Sequence, residues 1–156
     1  MFLIHMPRKK PVRPHHDGRA PTLALLKSIA RAIVQTFGPD LCEVVIHDLA
    51  DLEHSIVGIE GNVTHRKVGG PMTDLGLNMI RAGKTEDSFG YRTQLEDGTT
   101  LKSSSVFLRD EDGHTWGAFC INLNVTPLLG FHHFLESFAL PRDVPELRET
   151  FSDSIE

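Results

Sequence analysis

The chain has 156 residues, 40% of them apolar and 24% charged, with a formal net charge of −5. That is enough for one domain with its own core, and the balance is too ordinary for a disordered chain. No apolar run nears the roughly 20 residues that cross a bilayer, and MFLIHMPRKKPVRP reverses the charge order of an export signal, so a cytoplasmic protein without membrane contact is expected.

Charge is unevenly spread. Residues 1–20 carry Arg8, Lys9, Lys10, Arg13 and Arg19 against Asp17, a local +4 that leaves −9 to the remainder. With Pro7, Pro11 and Pro14 and no periodicity, residues 1–21 are expected to form a disordered basic tail. The acidic body argues against a broad phosphate-binding face.

From Thr22, apolar residues at Leu26, Ile29, Ala30, Ile33, Val34 and Phe37 follow the spacing of one helical face, and Gly38-Pro39 ends the run. LCEVVIH (41–47) and SIVGI (55–59) are short and β-branched, which predicts strands. THRKVGGP (64–71) is too rich in glycine and charge to be a packed element. Thr73 then caps a helix of two or three turns that stops at Gly83. YRTQL (91–95), TLKSSSVFLRD (100–110) and HTWGAFCINLNV (114–125) are strands joined by Asp97-Gly98 and Asp112-Gly113, dipeptides suited to tight hairpin turns. Alternation puts Leu101, Ser103, Ser105 and Phe107 on one face of the middle strand. Thr126-Pro127 opens a last helix whose Leu128, Phe131, Leu135 and Phe138 form an apolar stripe, either core or a surface for a second subunit. Cys42 and Cys120 read as reduced core thiols.

Several stretches in this order carry a family likeness: VVIHDL (44–49), SIVGIEGNVTHRKVGGPMTDLG (55–76), YRTQLEDGTTLKSSSVFLRDEDG (91–113) and GAFCINLNVTPL (117–128). Together they resemble the YheO-like PAS domain found at the front of bacterial transcriptional regulators. The resemblance implies an α+β PAS fold over residues 22–137: a five-stranded antiparallel sheet with short helices over one face, an N-terminal amphipathic helix and a C-terminal exit helix. It also implies a small-molecule sensory domain that regulates transcription. The stripe on the exit helix adds an expected homodimer, the lack of a triad or metal shell argues against an enzyme, and the alternative is a ligand-free dimerisation or protein-interaction module. Family members usually carry a helix-turn-helix domain after the PAS domain. Here an acidic tail, residues 138–156, follows the exit helix, so DNA contact is expected only indirectly or through a helix-turn-helix domain that is missing here.

Three polar groups are candidates for binding an amino-acid-like or small acidic effector. In the first, Asn62, His65, Arg66 and Lys67 with the N–H groups near Gly69 and Gly70 offer a guanidinium fork and backbone donors; the alternative is a solvated bend. The second is His47, which either faces a ligand or is a hydrogen-bonded structural histidine. The third is Ser103, Ser105 and Asn122 with Tyr91 and Arg92, which either line a pocket with Leu101, Phe107 and Trp116 or satisfy one another across the sheet. No cofactor is expected. Nor is a metal, since the nine histidines show no HExxH and no pairing with cysteine. GKT (83–85) lacks the earlier glycine of a phosphate-binding loop and follows a helix, and no GxSxG is present, so neither nucleotide binding nor acyl transfer is indicated.

Overall fold

A computed structural model describes residues 19–139; the expectations for residues 1–18 and 140–156 lie outside the described residues. The elements are α1 (Arg19–Phe37), β1 (Cys42–Asp48), β2 (Ile56–Glu60), α2 (Asp74–Arg81), β3 (Ser88–Gln94), β4 (Thr100–Arg109), β5 (Thr115–Asn124) and α3 (Thr126–Ala139). The strands form one sheet in the order β2-β1-β5-β4-β3, with every neighbouring pair antiparallel. Among the described residues no helix is long and apolar enough to cross a membrane.

Period-two alternation divides the sheet into two chemically different faces. In register across β1 and β5, Val44 sits opposite Ile121 and Ile46 opposite Phe119, while Glu43 sits opposite Asn122 and His47 opposite Ala118. The first set meets α1. Ala30 and Val34 of the helix are buried against Cys42, Val44, Ile46 and Phe119, with Leu23, Leu26, Ile33 and Val57 around the rim. At roughly 1.5–3 kcal/mol for each fully buried aliphatic side chain, this contact is the domain's main hydrophobic layer. The second set, Glu43 and His47 with Asn122 and Ala118, faces the other way.

α1 ends before Gly38 as expected but differs at its start and in which residues it buries. It starts at Arg19, ahead of Thr22, and takes Pro21 into its first turn, where the missing N–H removes no helical bond. The Arg19 guanidinium lies 5.4 Å from the Trp116 ring centroid, a cation–π contact that ties the helix start to β5. Ile29 and Phe37, expected on the inner face, are exposed. The seam follows the Leu26–Ala30–Val34 row at four-residue spacing, and those two residues fall on its flank.

Gly61 sets the path of the chain leaving β2. Its φ is +87°, and a Cβ there would lie 2.1 Å from the Cys42 carbonyl oxygen and 2.8 Å from the Glu43 Cα. The turn that carries Thr64 and Arg66 back over β1 is therefore pressed directly against the β1 backbone. Residues beyond it run along the outer edge of β2: Gly69 N–H donates to the Ile56 carbonyl at 2.8 Å, and Ile56 N–H donates to the Gly70 carbonyl at 3.1 Å.

Urea unfolding of Gly61→Ala is expected to show a loss of at least about 2 kcal/mol, since positive φ and backbone collision act together. Gly130, inside α3 with open space around its Cα, is the control; Gly130→Ala should be neutral or stabilising by up to about 1 kcal/mol.

Candidate functional site

The face of the sheet turned away from α1 floors a cavity of about 510 Å³. Its volume falls within the roughly 300–1,000 Å³ of small-molecule sites. The floor is Ser103, Ser105, Leu101 and Phe107 from β4, Ala118, Cys120 and Asn122 from β5, Tyr91 and Thr93 from β3, and His47 from β1. The opposite wall is Thr64 and Arg66 from the turn after β2, Met72 just ahead of α2, then Leu75, Met79 and Ile80 along α2. α2 is short but well capped, with Thr73 accepting the Gly76 N–H at 3.3 Å. None of its residues is buried. With Met72 just ahead of it, the helix covers the cavity with two flexible thioethers and two branched apolar side chains, a surface able to repack.

At one end of the cavity sits a charge pair. Glu43 is fully buried on β1, and its carboxylate accepts four groups. The Thr64 N–H donates to Oε2 at 2.8 Å, and the Thr64 hydroxyl lies 2.7 and 2.9 Å from the two oxygens. Arg66 Nη2 donates to Oε1 at 3.3 Å, and Asn122 Nδ2 reaches the same oxygen at 3.4 Å. Arg66 Nε also donates to the Thr64 hydroxyl oxygen at 2.8 Å. The network continues along the floor, where Ser103 donates to Asn122 Oδ1 at 2.9 Å. A buried carboxylate is tolerated only when paired and hydrogen-bonded, and both conditions are met here.

His47 sits beside this pair. Its Nδ1 is 2.9 Å from the buried Ser55 hydroxyl. Burial, and then the Arg66 cation, lower its pKa to about 4, so the ring is neutral at neutral pH. Further along the floor, Tyr91 and Ser105 share a 2.8 Å hydrogen bond, and the Ser105 hydroxyl donates to Cys120 Sγ at 3.2 Å. Burial raises both the Tyr91 phenol and the Cys120 thiol, keeping each protonated.

His47, Arg66, Tyr91, Ser103, Ser105 and Asn122 thus all line the cavity. The two alternatives for the serine–asparagine cluster coincide, because these groups bond one another across the strands while lining the hollow. Asn62, His65, Lys67, Gly69 and Gly70 are not part of its lining. Asn62 Oδ1 is 3.2 Å from His65 Nδ1, and His65 takes a left-handed φ of 56° in that turn. Lys67 and Gly69 are exposed. The Gly69 and Gly70 N–H groups are bonded to the Ile56 and Lys67 carbonyls, so they are not spare donors for an anion. Arg92 is exposed and Trp116 lies outside the cavity. Both cysteines are free; Cys42 is core, whereas Cys120 is half-buried and forms part of the floor.

Sequence reasoning passed over Glu43, the lone charge inside the buried strand LCEVVIH, and Thr64 beside it. It also passed over Met72, and it read Met79 only as part of the apolar side of the short helix, which that position fits equally well. Outside the cavity, Asp110, Asp112 and His114 gather at the exposed β4–β5 turn, where Asp110 Oδ1 already accepts the N–H groups of the other two.

A five-stranded antiparallel sheet in this strand order, with one face on a helix and the other on a cavity, defines a PAS fold. The YheO-like PAS domain model matches residues 17–140, and the chain belongs to that family. Among its relatives are YheO of Escherichia coli strain K12, 33% identical over 121 residues, covering 74% of this chain and 49% of that protein. Another is the transcriptional regulator DauR of Pseudomonas aeruginosa, 32% identical over 136 residues, covering 85% of this chain and 62% of that one. The chain spans about half to three fifths of the length of these relatives. A solved structure of an RNA-binding light-oxygen-voltage receptor aligns with a TM-score of 0.47 at 14% identity, covering 88% of this chain and 41% of that one.

His47 yields a pH prediction with a definite sign. Its folded pKa lies below the ordinary 6.5, so its contribution is complete above about pH 6.5 and is lost as pH falls toward 4, where the unfolded chain takes up the proton first. Between pH 7 and 4.5 the loss is about 2 kcal/mol. Urea unfolding of His47→Gln, which keeps a partner for Ser55, should show a shallower decline over that interval than the natural chain.

Proposed function

We propose that the domain is the small-molecule sensor of a bacterial transcriptional regulator, binding an amino-acid-like or small acidic effector in the cavity between the sheet and α2. The observation that carries this reading is the cavity itself: 510 Å³, apolar on one wall and hydroxyl- and amide-lined on the other, with the Arg66 guanidinium at one end. A domain whose job was only to hold subunits together would fill that space with side chains. Membership of the YheO-like family and a relative named as a transcriptional regulator support the regulatory role. The protein is read as a binder, not a catalyst, because the buried His47–Ser55 pair offers no exposed nucleophile. DNA contact belongs to a partner or to a segment beyond the PAS domain.

Output is assigned to α3 and to a homodimer formed through it. No residue of α3 is buried, and Leu128, Phe131, Phe134 and Phe138 are each more than half exposed. Phe134 and Phe138 stack with centroids 5.9 Å apart, an apolar ridge facing outward. That excludes the core role for this stripe and favours a surface covered in the assembly. An effector moves the equilibrium only by binding one arrangement of the α2 wall more tightly than another.

Two measurements test these assignments. Thermal shift against a panel of amino acids and small carboxylates should find a ligand that raises the midpoint of the natural chain by several degrees and that of Arg66→Ala far less; a panel without effect on the natural chain removes the sensing role. Sedimentation of Phe131→Glu should give a folded monomer where the natural chain is a dimer. If Phe131→Glu sediments like the natural chain, α3 is not the interface.

A further inference from the structure

Resting on the cavity being the sensory site, we infer that its ligand is a monocarboxylate with an otherwise uncharged, mainly apolar body, and that the site discriminates against the same molecule carrying an ammonium group. Charge around the cavity is sparse. Among the described residues, none of those lining the cavity is Asp, Glu or Lys, and Arg66 is its one permanent charge. His47 is the other ionisable base on the wall, and it is hydrogen-bonded to Ser55. Glu43, the nearest carboxylate, cannot serve a ligand. It is fully buried behind Thr64 and Arg66, and its oxygens already accept from Thr64, Arg66 and Asn122.

Arg66 by contrast retains capacity. A guanidinium has five N–H donors, of which Nε–H serves Thr64 and one on Nη2 serves Glu43. Nη1 has no hydrogen-bond partner among the described residues, which leaves an edge able to take a carboxylate. Glu43 anchors the guanidinium from behind, so the fork is held in place before a ligand arrives. A ligand carboxylate then has a charged partner, and the Met72, Leu75 and Met79 wall meets the apolar body. An ammonium on the carbon next to that carboxylate would leave water for neutral acceptors only, beside an arginine of the same sign.

Matched ligands read this out directly. Calorimetric titration of the full chain with octanoate, 2-aminooctanoate and octanamide, and with 3-phenylpropanoate, phenylalanine and 3-phenylpropanamide, compares acid, amino acid and neutral amide on one body. The expected result is binding by at least one acid, with its amino-acid counterpart and its amide each weaker by about tenfold or more. Because Arg66→Met alone strands the Glu43 carboxylate, the partner experiment uses Glu43→Gln with Arg66→Met, a neutral pair, and there acid and amide should bind within a factor of about three. An amino acid binding as tightly as its parent acid, or an acid–amide difference that persists in the neutral pair, overturns the inference and leaves the sensory reading standing. If none of the six binds but a wider set of neutral or cationic compounds yields a ligand, the inference also fails alone. If nothing in the wider set binds either, the sensory reading fails with it.

Discussion

The Glu43 carboxylate is the constraint around which the cavity-facing half of the domain is arranged. An ion with no solvent exposure must be matched by donors from the protein, and here they come from two places in the chain: the turn after β2, through Thr64 and Arg66, and the end of β5, through Asn122. Meeting that demand brings residues 64–66 over β1 and fixes the guanidinium at the cavity edge. It also orients the Asn122 amide, whose oxygen is then free to accept from Ser103. One buried charge thus specifies the position of a loop, the orientation of a floor residue and the place of the Arg66 cation at the hollow's edge.

One face of the sheet is packed and the other is open. On the α1 face, Val44, Ile46 and Phe119 meet Ala30 and Val34 in a closely packed apolar layer. On the other, serine, asparagine, tyrosine and histidine bond one another and leave space above themselves. The period-two geometry of the strands makes this separation possible, since neighbouring residues such as Glu43 and Val44 belong to opposite environments. Cooperative folding can rest on the first face while the second remains open.

Much of this was legible in the sequence. The element order, both Asp-Gly turns and the Thr73 cap follow from local rules, because turns and caps are decided by residues within a few positions of one another. The shared face of Leu101, Ser103, Ser105 and Phe107 followed from alternation alone. What escaped depends on tertiary register. THRKVGG looks like a unit, but only Thr64 and Arg66 turn toward the cavity, while Lys67 and Gly69 lie along the β2 edge, a distinction set by the contact of Gly61 with β1. Glu43 was hidden for the opposite reason: a strand reading registers the apolar residues and passes over the one charge whose partners lie 21 to 79 positions away.

The root of α3 has a mechanical consequence. Thr126 Oγ1 accepts the Thr100 N–H at 2.8 Å, and the Val125 N–H donates to the Thr100 carbonyl at 2.9 Å, so the last helix hinges on the residue that begins β4. The next residue of that strand, Leu101, is already part of the hollow's floor. With a rise of about 1.5 Å per residue, Phe138 stands roughly 18 Å from the hinge, and a tilt of about 10° there sweeps its ring through roughly 3 Å. A lever of that length turns a small rotation at its root into a displacement as large as the gap between two docked aromatic rings.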